Sequence, residues 1–515
     1  MDSVSWTGET ACALQAALQM SNDAFAAYLR IGVRTVAGWH EKPNTKPQSA
    51  MQQLLDTALE NATSAVKSRF AQLTAGPSTP PSDAEQRLAA DPNIVAGLDW
   101  LDHHAGWEPG TARGRVAARL GLVDVQALRD RGSRRARVDQ RRIAEALADY
   151  YGARTAPYGT YSATYDGSAA TTSILTQPDW LDLECPLIAT ADRLSVIRAA
   201  EDARMPLSEE ATARAVQRLA ETLATGTRIV DMPLYRLLGI DVHKGRIGGQ
   251  AGVSRFVGYA LTMDLLENEL VDALAADSPI LGSLPLRDQY LPDLAAVLNV
   301  SGRLCAGGTL ALCAIARPAS PFRGDADYVL LVQERSGYVL NAARRLAVIP
   351  KGFHQPLTDI RADAQIGATL RREMEEEFFG RDDIDNTVSD QRRADPMHPS
   401  RLSEPMRWLM ERPGRLRMEC SGFGLNLVSG NFEFPGLIVI EDEEFWTRYG
   451  GVIEANWESS NLRQYSSLDP LLLAELISDV AWSNEGLFAL LQGLRRLAQI
   501  GGSRVDLPAI EWKVE

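Results

Sequence analysis

The stretch that most constrains this chain is Ile349 to Gly380, and within it the run Arg372-Glu373-Met374-Glu375-Glu376-Glu377-Phe378-Phe379-Gly380. Ile366, Leu370, Met374 and Phe378 recur every four residues, which predicts a helix with one apolar stripe. On such a helix Glu373, Glu376 and Glu377 fall together along the flank of the stripe. Carboxylates crowded on a half-buried edge repel one another and lose hydration, so they call for a divalent cation, an arginine partner or raised pKa values. Arg372, one turn before Glu376, is placed to supply the arginine. An ordinary solvated helix rich in glutamate is the plain alternative.

Arg372, Glu373, Met374, Glu376 and Glu377 match, in type and spacing, the helical half of the Nudix box, and the run resembles that family. The loop half departs from the pattern. Ala364 stands at the upstream glutamate position, Thr358 at the glycine position and Phe379 at the second glycine position, with Gly380 one place later. The resemblance implies an α/β/α sandwich in which Glu373, Glu376 and Glu377 would hold Mg²⁺ against a diphosphate, with Glu377 catalytic if the site is active. The incomplete box favours a Nudix-like fold over a working hydrolase. In a hydrolase the base would be borrowed from elsewhere, with Asp363 and Glu433 as candidates. Arg345, Lys351 and His354 could approach a ligand phosphate, or be ordinary surface residues.

A chain of 515 residues, 45% hydrophobic, is too long for a single core and is expected to form three or four domains. Its formal net charge of -14 excludes a protein that coats nucleic acid in bulk, so any DNA contact must be local. Five cysteines with no C-x-x-C pair, and six histidines in no ligand spacing with them, fit a reducing cytoplasm and no structural zinc. The first residues lack the pattern of a signal peptide, and apolar runs such as Tyr328 to Val332 are far short of a membrane span. A soluble, cytoplasmic protein is expected.

Residues 1–72 read as a compact helical domain. Ser21 can cap a helix over Asn22 to Arg30, Ile31-Gly32-Val33 makes a turn, and the next helix runs from Arg34 to about Glu41. Leu14, Leu18, Phe25, Leu29, Val36, Trp39, Leu54, Leu55 and Leu59 supply the apolar positions, and Ala26 is small where the two helices must touch. Through Phe25 to Leu29, Arg34 to Trp39 and Pro47-Gln48, this part resembles the XRE-type (Cro and lambda-repressor-like) helix-turn-helix domains. Arg30 stands where those domains usually have glycine. The resemblance implies that Asn22, Val33, Arg34, Ala37 and Gly38 face the major groove of double-stranded DNA, with Lys42 near phosphate. Arg34 is the best candidate for a bidentate guanine contact. A small protein-interaction domain is the alternative.

Residues 73–90, rich in Pro, Ser, Thr and Ala, read as a linker. Residues 91–152 form a basic helical region, with ten arginines against three aspartates between Arg113 and Arg142. The cluster could follow DNA phosphates, or form a solvated face, or dock onto the acidic remainder of the chain. Residues 153–305 are a mixed α/β middle region of no identified chemistry, in which glycine-rich Gly245 to Gly252, around Arg246, could border an anionic ligand but reads more simply as a plain turn. From 306 to the end, strands at Thr309–Arg317, Tyr328–Gln333, Ala347–Pro350, Leu425–Leu427 and Leu437–Ile440, with a helical tail from Leu468 to Ile500, fit the α/β/α order.

The fold class expected is therefore multidomain: an all-α helix-turn-helix and helical region, a mixed α/β middle and a C-terminal Nudix-like sandwich. The function this suggests is transcription regulation, in which a homodimer binds DNA and the sandwich senses a nucleotide-like or phosphorylated ligand. A Mg²⁺-dependent hydrolase of nucleoside diphosphate derivatives is the alternative, and a docking scaffold is a third possibility.

Overall fold

The computed structural model describes residues 6–74, 88, 91–152, 156–197, 207–227, 229–276, 284–335, 345–380, 397–450, 453 and 459–515. Most of the expected linker lies outside the described residues.

The first unit is five helices, α1 (Gly8–Ala17), α2 (Asn22–Leu29), α3 (Val33–Glu41), α4 (Ser49–Glu60) and α5 (Ser64–Thr74). They share a core of Trp6, Leu14, Phe25, Ala26, Leu29, Val36, Trp39, Leu55 and Phe70. Leu54, expected among the apolar positions, is exposed, because the adjacent Leu55 takes the inward place on the same turn. The Ser21 hydroxyl accepts the Ala24 N–H at 3.2 Å and so caps α2. Arg30 ends α2 in the left-handed conformation, at φ 56°, where glycine would be free of strain.

Four further helices follow: α6 (Pro92–His104), α7 (Thr111–Leu120), α8 (Val125–Arg135) and α9 (Gln140–Tyr151). The middle of the chain adds α10 (Glu209–Thr225), α11 (Phe256–Ala260), α12 (Leu265–Ala275), α13 (Pro285–Tyr290) and α14 (Leu294–Leu298). Ile94, Leu98, Leu101 and Val116 share a core with Leu219 of α10 and Val257 of α11, so the basic helical region packs onto the middle one. The last helices are α15 (Ile366–Glu377), α16 (Glu404–Glu411), α17 (Glu443–Tyr449), α18 (Pro470–Ser478) and α19 (Asn484–Ile500).

The strands are β1 (Gly159–Tyr165), β2 (Ser168–Thr176), β3 (Leu181–Pro186), β4 (Asp192–Val196), β5 (Pro233–His243), β6 (Arg246–Arg255), β7 (Gly307–Arg317), β8 (Asp327–Arg335), β9 (Leu346–Val348), β10 (Lys351–Phe353), β11 (Leu416–Gly422), β12 (Gly424–Asn426), β13 (Phe432–Ile440), β14 (Ser459–Ser466) and β15 (Ile510–Val514). A mixed sheet runs in the order β14-β8-β7-β13-β12-β2-β1-β15, with β9, β10, β11 and β3 paired off that path. A separate three-stranded sheet has the order β4-β6-β5. β7 and β13 are parallel in register from Gly307–Phe432 to Ile315–Ile440. β1, β2 and β3, from the stretch expected to form a middle region, hydrogen-bond into the same sheet as the strands after residue 306. Pairing across long sequence separations has no local signal, so composition could not reveal that continuity. The turn between β1 and β2 is Asp166-Gly167, both at positive φ, as a tight hairpin needs.

Both faces of the large sheet are covered. Leu310, Leu312, Ala314 and Ala316 of β7 enter a core with Leu473, Phe488, Leu490 and Leu494 from α18 and α19. Ala311, Cys313 and Ile315 enter the opposite core with Ile366, Leu370, Met374 and Phe378. The side-chain period of two sends alternate residues to each face, and burial of both faces explains why β7 is apolar without a break from Leu310 to Ala316. All five cysteines are free thiols.

Candidate functional site

The predicted helix is α15, and its apolar stripe lies on the sheet as expected. The glutamates on its flank are nearly closed off: Glu373, Glu376 and Glu377 are all buried. Of the three ways to hold such carboxylates, an arginine is present. Arg372, itself buried, donates to Glu373 at 2.7 Å, lies 3.9 Å from Glu376, and also donates to the carbonyls of Phe353 (3.1 Å) and Gln355 (3.2 Å). Burial works against its charge, but Glu373 and Glu376 hold it ionised.

Glu377 is held otherwise. It accepts the backbone N–H of Lys351 at 2.7 Å and the Gln333 side-chain amide at 3.4 Å. Glu375, which the sequence did not single out, accepts the backbone N–H and hydroxyl of Ser403, each at 3.0 Å, and so ties α15 to the start of α16. Gly352 lies under the Glu373 side chain, and a Cβ there would overlap the carboxylate. The glycine of the Pro350-Lys351-Gly352-Phe353 segment is thus required by close packing of β10 against α15.

Among the described residues no group of three or more His, Cys, Asp or Glu side chains is placed to hold a metal ion. Glu373 turns to Arg372 and Glu377 to the backbone of Lys351.

Of the three residues expected to approach a ligand, Lys351 and Arg345 both lie near Glu267 and Glu485, whereas His354 sits beside Thr369 and Arg372. Lys351 pairs through Nζ with Glu485 at the start of α19. Arg345 donates to the Val138 carbonyl. His354 is enclosed, with Nδ1 2.9 Å from the Thr369 hydroxyl and its ring 4.5 Å from that of Tyr235. Burial and the nearby Arg372 charge push the His354 pKa down to about 3, so the imidazole is neutral. Asp363 accepts the backbone N–H groups of Leu357, Thr358 and Asp359, which makes it a loop organiser.

Next to Lys351 lies a polar cluster that the sequence showed only through Glu433. Glu485 accepts from Lys351, and the Asn426 amide reaches both Glu485 (3.3 Å) and Glu433 (3.4 Å). Burial and the charge of Glu485 raise Glu433 well above the usual carboxylate range. Burial, Glu485 and Asp264 push Glu267 up to about 7, against the pull of Lys351 and Arg345. Burial also works against ionised Glu485, but Lys351 brings its pKa below the usual value. A cavity of about 190 Å³ opens beside the start of α15, lined by Asp363, Gln365, Thr369, Arg371 and Arg372 among others.

At the other end of the chain, α2 and α3 are joined by Arg30, Ile31 and Gly32. Val33 and Arg34 are exposed at the start of α3, Ala37 and Gly38 are half-buried on it, and Lys42 is exposed at its end. Asn22 accepts the Gln15 amide at 2.8 Å, and Gln15 Oε1 lies 2.9 Å from His40 Nε2, so one polar chain fixes α1 against α2 and α3. A Cβ added at Gly38 would meet nothing within 4 Å.

The arginine cluster divides. Arg131 pairs with Glu221 of α10 and Arg135 with Asp272 of α12, both at 2.5 Å. Arg115 stacks on Trp107 at 4.3 Å. Among the described residues no helix is long and apolar enough to cross a membrane. No family model matches this chain, and no curated protein is significantly similar to it.

Proposed function

We propose that this chain is a sequence-specific DNA-binding transcription regulator whose Nudix-like sheet body is a non-catalytic sensor of a nucleotide-like or otherwise phosphorylated ligand. The observation that carries the reading is the pair α2 and α3, with Arg34 outward on the first turn of the second helix of the pair. A guanidinium there can reach two acceptors of one guanine edge. Asn22, Ala37, Gly38 and Lys42 lie beside or beyond it, and Lys42 suits a phosphate. One short helix reads too few base pairs for a genomic site, so two copies would act together.

The sensor reading draws on the incomplete box and on the helix–sheet–helix layering around α15. A sensor needs shape and charge without a general base, and the arginine-lined cavity by α15 suits an anionic group. A Mg²⁺-dependent hydrolase is the alternative, and the pairing of Glu373 with Arg372 weighs against it.

The test is binding of the purified chain to its own promoter DNA and to scrambled duplex across a salt series, with and without Arg34→Ala. Selective binding that loses selectivity with Arg34→Ala, by about 1–3 kcal/mol at one base position, supports the reading. Equal binding to both duplexes by wild type and variant refutes it.

A further inference from the structure

The cluster between Arg113 and Arg142 is the most basic stretch of an acidic chain, and its pairing separates two faces of α8. Arg131 and Arg135, four residues apart, turn inward to Glu221 and Asp272, with Asn268 also accepting from Arg135 at 2.5 Å. Arg129, Arg134, Arg137 and Arg141 are exposed. None of these four has an ion pair among the described residues. The aspartates of the stretch are engaged locally: Asp124 caps α8, Asp130 accepts from Gln126, and Asp139 caps α9 by accepting the Arg142 N–H at 2.7 Å.

The corner that carries Arg134, Arg137 and Arg141 is held from beneath. Val138 is buried, and its carbonyl accepts from Arg345. The backbone N–H of Gln140 donates to Val480 at 3.3 Å, and its side-chain amide donates to the Thr171 carbonyl at 2.6 Å. The backbone of the α8–α9 corner is thereby fixed to the large sheet while its guanidinium groups face solvent. Outward arginines on a fixed backbone, with no ion pair among the described residues, fit a regular polyanion, and arginine suits phosphate better than lysine does.

We infer that the α8–α9 corner is a second, sequence-independent contact surface for the phosphate backbone of duplex DNA. The inference rests on the DNA-binding reading above and adds to it a site remote in sequence from α3. Each arginine that meets a phosphate releases counterions, so the surface would appear in the salt dependence of binding and not in base selectivity.

The experiment compares full-length wild type, Arg34→Ala, and the triple variant Arg134→Gln, Arg137→Gln, Arg141→Gln on promoter and scrambled duplex between 50 and 200 mM salt, about the range over which such contacts are resolved. An unchanged melting curve of the triple variant shows that the corner is still folded. The expected result is that the slope of log affinity against log salt becomes shallower by about 2 to 3, from about 0.9 per phosphate contact, with both duplexes weakened alike. Arg34→Ala would instead lose discrimination and change the slope by no more than about one. A wild-type protein that discriminates between the duplexes, with the triple variant keeping the wild-type slope, overturns this inference and leaves the regulator reading standing. A wild-type protein that binds neither duplex removes both. Loss of binding to phosphatidylserine vesicles in the triple variant, with the DNA slope unchanged, also overturns it and assigns the surface to anionic lipid.

Discussion

Replacing Arg372 by methionine keeps the length of the side chain but removes the charge on which the flank of α15 depends. The guanidinium is 4% exposed. Its loss would leave the Glu373 carboxylate without its 2.7 Å partner, remove the positive charge 3.9 Å from Glu376, and take one donor from each of the carbonyls of Phe353 and Gln355. Breaking a buried pair by removing one partner costs about 3–5 kcal/mol, because the remaining charge stays desolvated. Opening of α15 would then be easier by about two to three and a half decades. Hydrogen–deuterium exchange of peptides covering 366–377 reads this directly, and exchange at other helices serves as the control. Glu376→Gln, whose contact with Arg372 is as long as 3.9 Å, should accelerate exchange far less. If Arg372→Met changes exchange of α15 by less than about tenfold, the arginine does not hold the glutamate flank, and the buried pair with Glu373 is not what stabilises this helix.

Further outcomes follow from the same geometry. Adding Mg²⁺ at millimolar concentration should leave exchange of 366–377 unchanged; protection there would instead reveal a metal bound by the glutamates, and hydrolysis of a nucleoside diphosphate derivative abolished by Glu377→Gln would establish the enzyme. Gly38→Ala should leave the first unit as stable or up to about 1 kcal/mol more stable, since the added methyl meets nothing, while weakening DNA binding if that face meets the groove. The imidazole of His354 should stay neutral by NMR from pH 8 down to about pH 4, as its pKa near 3 requires; a titration near pH 6.5 would contradict its enclosure. Glu267 has a folded pKa raised from 4.5 to about 7, so its contribution to stability is present at acid pH and is lost as pH rises through that window. Glu267→Gln should flatten that part of the pH–stability curve, and an unchanged curve would contradict the raised pKa.

The sequence by itself determined the local structure of both ends of the chain. The four-residue recurrence of Ile366, Leu370, Met374 and Phe378 specified α15 and the face it buries, because a helix has only one way to bring such positions together. Ser21, Phe25, Ala26, Val36 and Trp39 likewise specified the packing of α2 on α3. The crowding of Glu373, Glu376 and Glu377 was legible as a conflict needing a partner, and Arg372 was legible as one candidate.

Tertiary structure decided how the flank is held, since only folding brings the carbonyls of Phe353 and Gln355 around the Arg372 guanidinium and turns Glu377 to the backbone of Lys351. It also decided the cluster of Glu267, Glu433, Glu485 and Lys351, whose members lie far apart in the chain and carry no spacing by which to be found. The same holds for the arginines. Composition marks the stretch from Arg113 to Arg142 as basic, but only the approach of Glu221 and Asp272 separates Arg131 and Arg135 from the solvent-facing Arg129, Arg134, Arg137 and Arg141. Periodicity encodes which face of an element is apolar; which groups meet across the fold depends on pairings that the local pattern does not carry.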